Sequence, residues 1–174
     1  MKASVFVGTS LDGFIARKDG AFDFLPAGGG EPHGYAEFMA SVDALVIGRH
    51  TFEIVLAMDP WPYGPKPVFV LSSGPLRGVP QGVPVERLSG TPNEIVSELS
   101  TRGMRHIYVD GGITIQHFLR AGLIDRIIVT RVPVLIGEGI PLFGPVDRDI
   151  LVEHVATKSF TGGLVQSEYV VSKR

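Results

Sequence analysis

The fold is decided by the stretch Ala44-Leu45-Val46-Ile47-Gly48-Arg49-His50-Thr51-Phe52-Glu53, in which an apolar run passes directly into a glycine, an arginine and a hydroxyl. The run of four apolar residues is too short for a buried helix and is typical of a buried strand. Gly48 allows the backbone to approach a ligand closely, while Arg49 and Thr51 follow at a helix N-terminus, an arrangement suited to an anion. The same residues are also compatible with an ordinary helix cap and a surface arginine.

Similar apolar runs recur along the chain and alternate with helical patterns. The predicted strands are Val5–Val7, Ala44–Ile47, Pro67–Leu71, His106–Val109 and Arg126–Val129. The predicted helices are Tyr35–Ser41, Thr51–Leu56, Pro92–Thr101 after an N-cap at Thr91, and Ile113–Ala121 before Gly122. Strands that alternate with helices indicate an α/β fold whose mostly parallel sheet is covered by helices on both faces.

The C-terminal part of the chain breaks this alternation. Ile150–Thr157 and Val165–Val171 are strand-like, and Ser159–Gly163 supplies a turn between them. We therefore expect a C-terminal antiparallel hairpin added to the parallel sheet. The segment Pro26–Pro32, with three consecutive glycines, is expected to be a mobile surface loop.

Length and composition favour a single domain over residues 1–174, with an apolar fraction of 44% and a charged fraction of 20%. A net charge of -2 gives no electrostatic basis for binding nucleic acid or an anionic membrane. Cysteine is absent and the histidines lack a metal-ligand pair at i, i+4, so no metal site is expected. The first apolar run is too short for a signal peptide or a membrane span, and we expect a cytoplasmic protein.

Polar residues and glycines follow two further strands of the predicted sheet. Ser72-Ser73-Gly74 comes after the third strand, and Asp110-Gly111-Gly112-Ile113-Thr114 comes after the central one. Ligands of open α/β sheets bind outside the carboxyl ends of the strands, so these segments are expected to hold parts of one phosphorylated ligand. Taken separately, the serines are an ordinary turn composition and the glycine pair matches neither a Rossmann nor a P-loop fingerprint. Their joint placement at strand ends favours a nucleotide site.

Residues 44–53, followed by Val68-Phe69-Val70-Leu71-Ser72-Ser73, resemble the cofactor half of dihydrofolate reductases. The resemblance implies that NADPH is the cofactor, with Ser72 and Ser73 beside the 2'-phosphate and the glycine pair at the pyrophosphate. An arginine and hydroxyls, rather than an acidic residue, are expected to face the ribose, and this favours NADP over NAD. The cofactor-binding residues expected at these strand ends are Gly48, Arg49, His50, Thr51, Ser72, Ser73, Asp110, Gly111, Gly112 and Thr114.

Within this superfamily, further segments resemble the C-terminal reductase domain of bacterial bifunctional riboflavin-biosynthesis deaminase-reductases. These segments are Ser10–Ala16, Gly111-Gly112, Ala121–Asp125 and Pro133–Phe143. The resemblance implies a three-layer αβα fold, with Asp12 near the nicotinamide and the substrate, and with Gly137 and Gly139 allowing the backbone to close on the cofactor. Thr130 resembles the threonine that supports the pterin in dihydrofolate reductases. Asp12 and Thr130 are therefore the expected catalytic residues.

The resulting hypothesis is an NADPH-dependent reductase of the 5-amino-6-(5-phosphoribosylamino)uracil reductase type, acting on a small heterocyclic or sugar-derived substrate. Dihydrofolate or pterin reductase is an alternative, although the buried helix carboxylate of those enzymes has no counterpart, because Glu37 reads as a solvated helix residue. A non-catalytic NADPH-binding module is a third possibility. The sequence leaves the proton donor unassigned.

The strand from Arg126 continues into apolar residues up to Ile136. This apolar length is more than a short edge strand could leave in water, so a homodimer is also expected. The riboflavin-pathway reductases that the chain resembles pair in this way, so the resemblance also implies a homodimer. Gly112→Val is expected to abolish cofactor binding without unfolding the protein, because a β-branched side chain would obstruct the helix N-terminus.

Overall fold

The computed structural model describes residues 1–26 and 33–173, which form ten strands and four helices. The strands are β1 (Lys2–Ser10), β2 (Phe14–Ala16), β3 (Ala44–Gly48), β4 (Val68–Leu71), β5 (Val85–Leu88), β6 (His106–Asp110), β7 (Arg126–Val132), β8 (Ile140–Pro141), β9 (Val152–Ser159) and β10 (Val165–Val171). The helices are α1 (Tyr35–Ser41), α2 (Arg49–Val55), α3 (Pro92–Thr101) and α4 (Gly112–Arg120). Apart from Pro26, the predicted mobile loop Pro26–Pro32 lies outside the described residues.

Eight of the strands form one sheet in the order β5-β4-β3-β6-β1-β7-β10-β9. All neighbours pair in parallel except β10, which is antiparallel to both β7 and β9. The mostly parallel sheet with a C-terminal antiparallel hairpin is therefore confirmed. In the register of β3 and β6, Ile47 is paired with Asp110, so the ends of these two strands lie side by side.

Helices cover both faces of the sheet. On one face, Phe38 of α1 and Phe52 of α2 pack with Ile47 in one buried cluster. On the other face, Leu99 of α3 and Phe118 of α4 belong to a second buried cluster. The three-layer αβα arrangement expected from the sequence is confirmed.

Three short strands were not predicted. β5 carries Glu86 and Arg87 at exposed positions, so it lacks the apolar pattern of a buried strand. β2 and β8 form a separate two-stranded ribbon in which Phe14 is paired with Pro141, a contact between distant parts of the chain. In the hairpin, Ser159 belongs to β9, and the turn is a 3₁₀ segment over Thr161–Gly163.

No helix in the described part of the chain is both long enough and apolar enough to span a membrane. Nor do residues 1–26 and 33–173 contain a cluster of three or more side chains of the metal-binding types.

Candidate functional site

A cavity of about 730 Å³ lies at the carboxyl ends of β3, β4 and β6 and is also bordered by β1. It brings together most of the residues that the sequence placed in a nucleotide site. Those that line it are Gly48, Arg49, His50, Thr51, Ser72, Ser73, Asp110, Gly111, Gly112 and Thr114. Side chains from α1, from α2 and from the segment after β2 complete its walls.

The floor of the cavity is formed by the first turns of α2 and α4, which approach each other through glycines. A Cβ atom on Gly48 would lie 2.8 Å from the Thr114 hydroxyl, and one on Gly111 would lie 2.5 Å from the Thr51 hydroxyl. Gly111 also has a positive φ of 96°, which a larger residue adopts only at a cost. Both positions therefore require glycine, and the backbone amides at the start of α4 border the cavity.

Two arginines flank the turn after β4. Arg87 of β5 donates a hydrogen bond to the Ser72 carbonyl at 3.1 Å. Arg49 Nη1 lies 3.2 Å from the position that a Cβ on Gly74 would take, and Arg49 Nε also pairs with Glu53 at 2.9 Å. Arg87 was missed in the sequence because the strand that carries it has no recognisable pattern.

The two serines of this turn differ in their surroundings. The Ser72 hydroxyl donates to the Gly74 carbonyl at 2.8 Å and accepts from the Gly74 amide at 3.3 Å, so it stabilises its own turn. Ser73 is exposed and lines the cavity. Ser73 is therefore the serine of this pair whose side chain faces solvent at the site.

Asp110 presents a carboxyl group to the cavity beside three tyrosines. Burial raises its pKa from 3.8 to about 6, although its carboxylate accepts a hydrogen bond from the Gly111 amide at 2.8 Å. Burial together with the charge of Asp110 raises the pKa of Tyr35 to about 12, and the pKa values of Tyr63 and Tyr108 are raised by the same two causes. The sequence identified Asp110 by its position after β6, but not this environment.

The segment after β2, residues 17–26, closes one side of the cavity. The Leu25 side chain lies 2.8 Å from the position that a Cβ on Gly8 would take, and Phe22 also lines the cavity. A Cβ on Gly20 would lie 2.7 Å from His50 Nε2, so the segment packs directly on α2. An ion pair between Arg17 and Asp23, with Nε and Oδ1 2.5 Å apart, joins the two ends of the segment.

Four predicted site residues do not line the cavity: Asp12, Thr130, Gly137 and Gly139. The exposed Asp12 carboxylate accepts backbone hydrogen bonds from Gly137 at 2.8 Å and Ile136 at 3.3 Å. Hydrogen bonds to Ser10 and to these amides lower the pKa of Asp12. Asp12 therefore ties the end of β1 to the loop after β7.

Thr130 and Gly139 also make contacts within the fold. Buried Thr130 accepts a hydrogen bond from Gln166 Nε2 at 3.0 Å, which links β7 to β10. The carbonyl oxygen of Ala16 leaves no room for a side chain at Gly139. Neither residue lines the cavity as the described residues form it.

The expected effect of Gly112→Val needs correction. A Cβ on Gly112 would lie 3.0 Å from the side chains of both Ile15 and Ile140, and 3.2 Å from the Pro141 carbonyl oxygen. A valine here would therefore displace the β2–β8 ribbon as well as obstruct the start of α4. If that variant lost cofactor binding, the loss could come from the displaced ribbon or from the obstructed start of α4.

A family model described as the RibD C-terminal domain matches residues 2–165 of the chain. A solved structure of a Shewanella sp. PV-4 protein named for riboflavin biosynthesis is 39% identical, with a TM-score of 0.90. That match covers 99% of this chain and 100% of the other.

Two more distant structures have the same fold. One is a diaminohydroxyphosphoribosylaminopyrimidine deaminase/5-amino-6-(5-phosphoribosylamino)uracil reductase from Thermotoga maritima, with a TM-score of 0.77 at 14% identity over 98% of this chain and 56% of that one. The other is a dihydrofolate reductase from Enterococcus faecalis in complex with NADP(H), with a TM-score of 0.66 at 19% identity over 99% of this chain and 97% of that one. At these identities they show the fold alone, and they confirm the dihydrofolate-reductase-like architecture.

Asp110→Asn is expected to raise the midpoint of thermal unfolding at pH 8. The folded-state pKa of about 6 lies above the unfolded value of 3.8, so ionisation of Asp110 lowers the free energy of unfolding as the pH rises through this window. A shift of about two pKa units corresponds to at most ~3 kcal/mol, an upper limit because the residue keeps partial contact with solvent.

The increase in the midpoint of thermal unfolding caused by Asp110→Asn should nearly disappear at pH 4, where Asp110 is protonated in the folded protein. Asp147→Asn, at an exposed position, is the control and should change the midpoint little at either pH. An equal gain from Asp110→Asn at both pH values would show that ionisation of Asp110 is not its cause.

Proposed function

Because the chain belongs to the RibD C-terminal domain family, we propose that it is an NADPH-dependent reductase of the 5-amino-6-(5-phosphoribosylamino)uracil reductase type, acting on a small nitrogen heterocycle. Membership of this family makes it a reductase of the riboflavin-biosynthesis type. The observation that supports NADPH-dependent reduction is that one cavity contains both the anion-binding groups and the Asp110 carboxyl beside them. A cytoplasmic location is part of the same proposal.

The groups around the floor of the cavity fit a dinucleotide phosphate. The backbone amides at the start of α4 suit the pyrophosphate, and Gly48 and Gly111 leave space that any side chain would fill. Arg49, Thr51 and Ser73 would hold the phosphate groups, with Arg87 beside the same turn. NADPH, when bound, supplies the hydride.

Asp110 is proposed as the proton donor. Its carboxyl group faces the cavity, and burial keeps its pKa near 6, within the range in which a carboxylic acid donates protons at near-neutral pH. Water excluded by bound ligands would raise this pKa further, because desolvation disfavours the carboxylate. The tyrosines around Asp110 add aromatic walls without adding a positive charge.

The two alternative functions are less well supported. Glu37 of α1 is exposed, so the carboxylate that dihydrofolate reductases place on this helix has no counterpart there, and Tyr35 is the α1 residue that lines the cavity. A non-catalytic binding module would not require a carboxyl group inside the cavity. The placement and raised pKa of Asp110 therefore favour an enzyme.

The proposal includes a homodimer, although the surface proposed to form it is not the β7 strand from which the sequence predicted a dimer. β7 is not an edge strand, because β1 and β10 pair along it on either side. β5 and β9 are the edge strands of the sheet, and the hairpin that ends in β9 exposes Val152, Val155, Val165 and Val170, each between 38% and 53%. An exposed edge strand with apolar side chains favours pairing with a second copy.

NADPH is expected to bind more tightly than NADH, and Arg49→Met should reduce this preference. A charge-assisted hydrogen bond contributes about 1.5–3 kcal/mol, so the loss should be roughly 10- to 100-fold in affinity for NADPH. Isothermal titration with both cofactors measures it, with Arg120→Met, at the exposed end of α4, as the control. Equal affinities of the unaltered protein for the two cofactors would refute the phosphate assignment.

Asp110→Asn should lower kcat by roughly 100-fold or more, because it removes a general acid. In the unaltered enzyme, kcat/KM should fall as the pH rises above about 6, since the protonated form of Asp110 is required. The variant should lose this pH dependence and keep its affinity for NADPH. Steady-state NADPH oxidation with aminouracil and pterin substrates provides the test, and a variant that retains the rate would exclude Asp110 as proton donor.

Light scattering at micromolar concentration should report a mass near twice 18.7 kDa. Val155→Glu, on the open edge strand, should give a monomer because two carboxylates would face each other across the two-fold interface. Val79→Glu replaces a valine that is also exposed, at 40%, but lies outside the hairpin, and it should leave the dimer intact. A monomeric unaltered protein would contradict the proposal.

A further inference from the structure

We infer that Tyr35 and Tyr63 determine which heterocyclic ring the enzyme accepts, each by donating a hydrogen bond from its hydroxyl group to a carbonyl oxygen of the substrate. Beside the Asp110 carboxyl, these two donors select a ring with two carbonyl oxygens over one in which an amino group replaces a carbonyl oxygen. The inference deepens the proposed reductase function and rests on it.

Three tyrosines line the cavity, and their hydroxyl groups differ in their partners. The Tyr108 hydroxyl is engaged within the fold, where it donates to the Phe6 carbonyl oxygen at 2.7 Å and lies beside the Asp110 carboxyl. Among the described residues, the hydroxyls of Tyr35 and Tyr63 have no hydrogen-bond partner. These two phenol groups are therefore available to a ligand, whereas Tyr108 is not.

The two unpaired hydroxyls open into the cavity. In the part of the chain that the structure describes, Trp61 Nε1 is the only side-chain nitrogen or oxygen that is enclosed by protein without a partner. The phenol oxygens of Tyr35 and Tyr63 are therefore accessible to solvent, although the Tyr63 residue as a whole is only 7% exposed. Because both residues line the cavity, their hydroxyls face the space that a ligand would fill.

The rings that carry these hydroxyls are held by aromatic neighbours. The Tyr35 ring packs edge to face on Phe6, with 5.4 Å between ring centroids. The Tyr63 ring packs edge to face on Trp61, with 5.5 Å between centroids and an interplanar angle of 90°. Since packing within the fold positions both rings, the two hydroxyls are placed before a ligand binds, and little side-chain freedom is lost on binding.

The two phenols and Asp110 influence one another electrostatically. Burial, followed by the charge of Asp110, raises the pKa of Tyr35 to about 12, and the same two causes raise the pKa of Tyr63. Tyr35 also contributes to the raised pKa of Tyr63, so the three groups lie around one space. Both phenols remain protonated at neutral pH, and each offers one O–H donor.

Two donors beside a carboxyl group define the hydrogen bonds that a ring must offer. A pyrimidinedione presents two carbonyl oxygens to the phenols and a ring N–H to the carboxyl. In a 2-amino-4-oxo ring such as a pterin, an amino group takes the place of one of these oxygens. It can donate to a phenol oxygen, but the phenol proton is then left without an acceptor, which is unfavourable in a closed site.

The basic side chains of the cavity belong to other elements. Arg49 and His50 lie on α2, and His117 lies on α4. These cations are suited to the phosphate groups of the cofactor and of a phosphorylated substrate. Recognition of the ring by the two phenols is therefore separate from recognition of phosphate, and the inference concerns the ring alone.

The test compares two ligands that differ in one ring substituent. One is 5-amino-6-(5-phosphoribosylamino)uracil, and the other is the same compound with an amino group in place of the carbonyl oxygen between the two ring nitrogens. Isothermal titration is performed on the full chain without cofactor and with saturating NADP⁺, which has no hydride to transfer. The unaltered protein should bind the uracil compound at least about tenfold more tightly in both series.

Tyr35→Phe, Tyr63→Phe and the double variant remove the hydroxyls and keep the rings. The double variant should bind the uracil compound at least about tenfold more weakly and bind the two compounds with affinities within about threefold of each other. A general disturbance of the cavity would weaken both ligands alike, so the ratio of the two affinities reports the hydrogen bonds. Because neither hydroxyl bonds to a described residue, the midpoint of thermal unfolding without ligand should change little.

Tyr169→Phe is the matched control, because it removes a phenol hydroxyl from β10, outside the cavity. It should leave both affinities and their ratio unchanged. If the double variant does not fold, the single variants decide the matter, and the ratio should fall at least about fivefold in one of them.

An affinity ratio that is unchanged in these variants overturns the inference. Equal affinity of the unaltered protein for the two compounds also overturns it, and so does failure to bind either of them. Failure of the unaltered protein to bind NADPH overturns the proposed function instead, and the titrations without cofactor still compare the two rings. The two failures are therefore distinguishable.

Discussion

The close approach of α2 and α4 at the centre of the sheet is the constraint on which the site depends. Glycine at positions 48 and 111 allows each helix to start against a threonine hydroxyl of the other, at distances that a side chain would forbid. Because β3 and β6 are neighbours in parallel register, these two glycines lie at the same edge of the sheet. The backbone amides, the hydroxyls and Asp110 are thereby assembled around one space by a single packing requirement.

The same turn gives Asp110 properties that differ from those of Asp43, another carboxylate that accepts backbone hydrogen bonds. Asp43 accepts hydrogen bonds from the amides of Arg105 and His106, which lower its pKa. Asp110 accepts hydrogen bonds from the Gly111 amide and from the Tyr108 side chain, but burial outweighs both, so its pKa rises. A carboxylate whose amide donors outweigh its desolvation is a structural anchor, whereas one that burial dominates in a partly closed cavity is available to exchange a proton.

The sequence predicts the parts of the fold that local patterns encode. Buried strands appear as apolar runs, and the residues at their ends follow from the geometry of parallel sheets, so the part of the cavity lining that follows β3, β4 and β6 could be predicted. The environment of Asp110 could not, because Tyr35 and Tyr63 come from distant parts of the chain. Asp12 was expected near the substrate, and its hydrogen bond with Gly137 could not be predicted, because no local pattern encodes a contact across that separation. The hydrogen bond from Gln166 to the buried Thr130 likewise depends on β10 pairing with β7.

The proposed proton donor depends on the walls that close the cavity. Burial raises the pKa of Asp110 because the apolar and aromatic side chains around it solvate its carboxylate poorly. A lysine or arginine placed beside Asp110 would lower this pKa through its charge. Asp110 would then be ionised at neutral pH and would no longer donate a proton to the group that is reduced. Among the described residues, no basic side chain lowers the pKa of Asp110, and burial outweighs the hydrogen bonds that its carboxylate accepts.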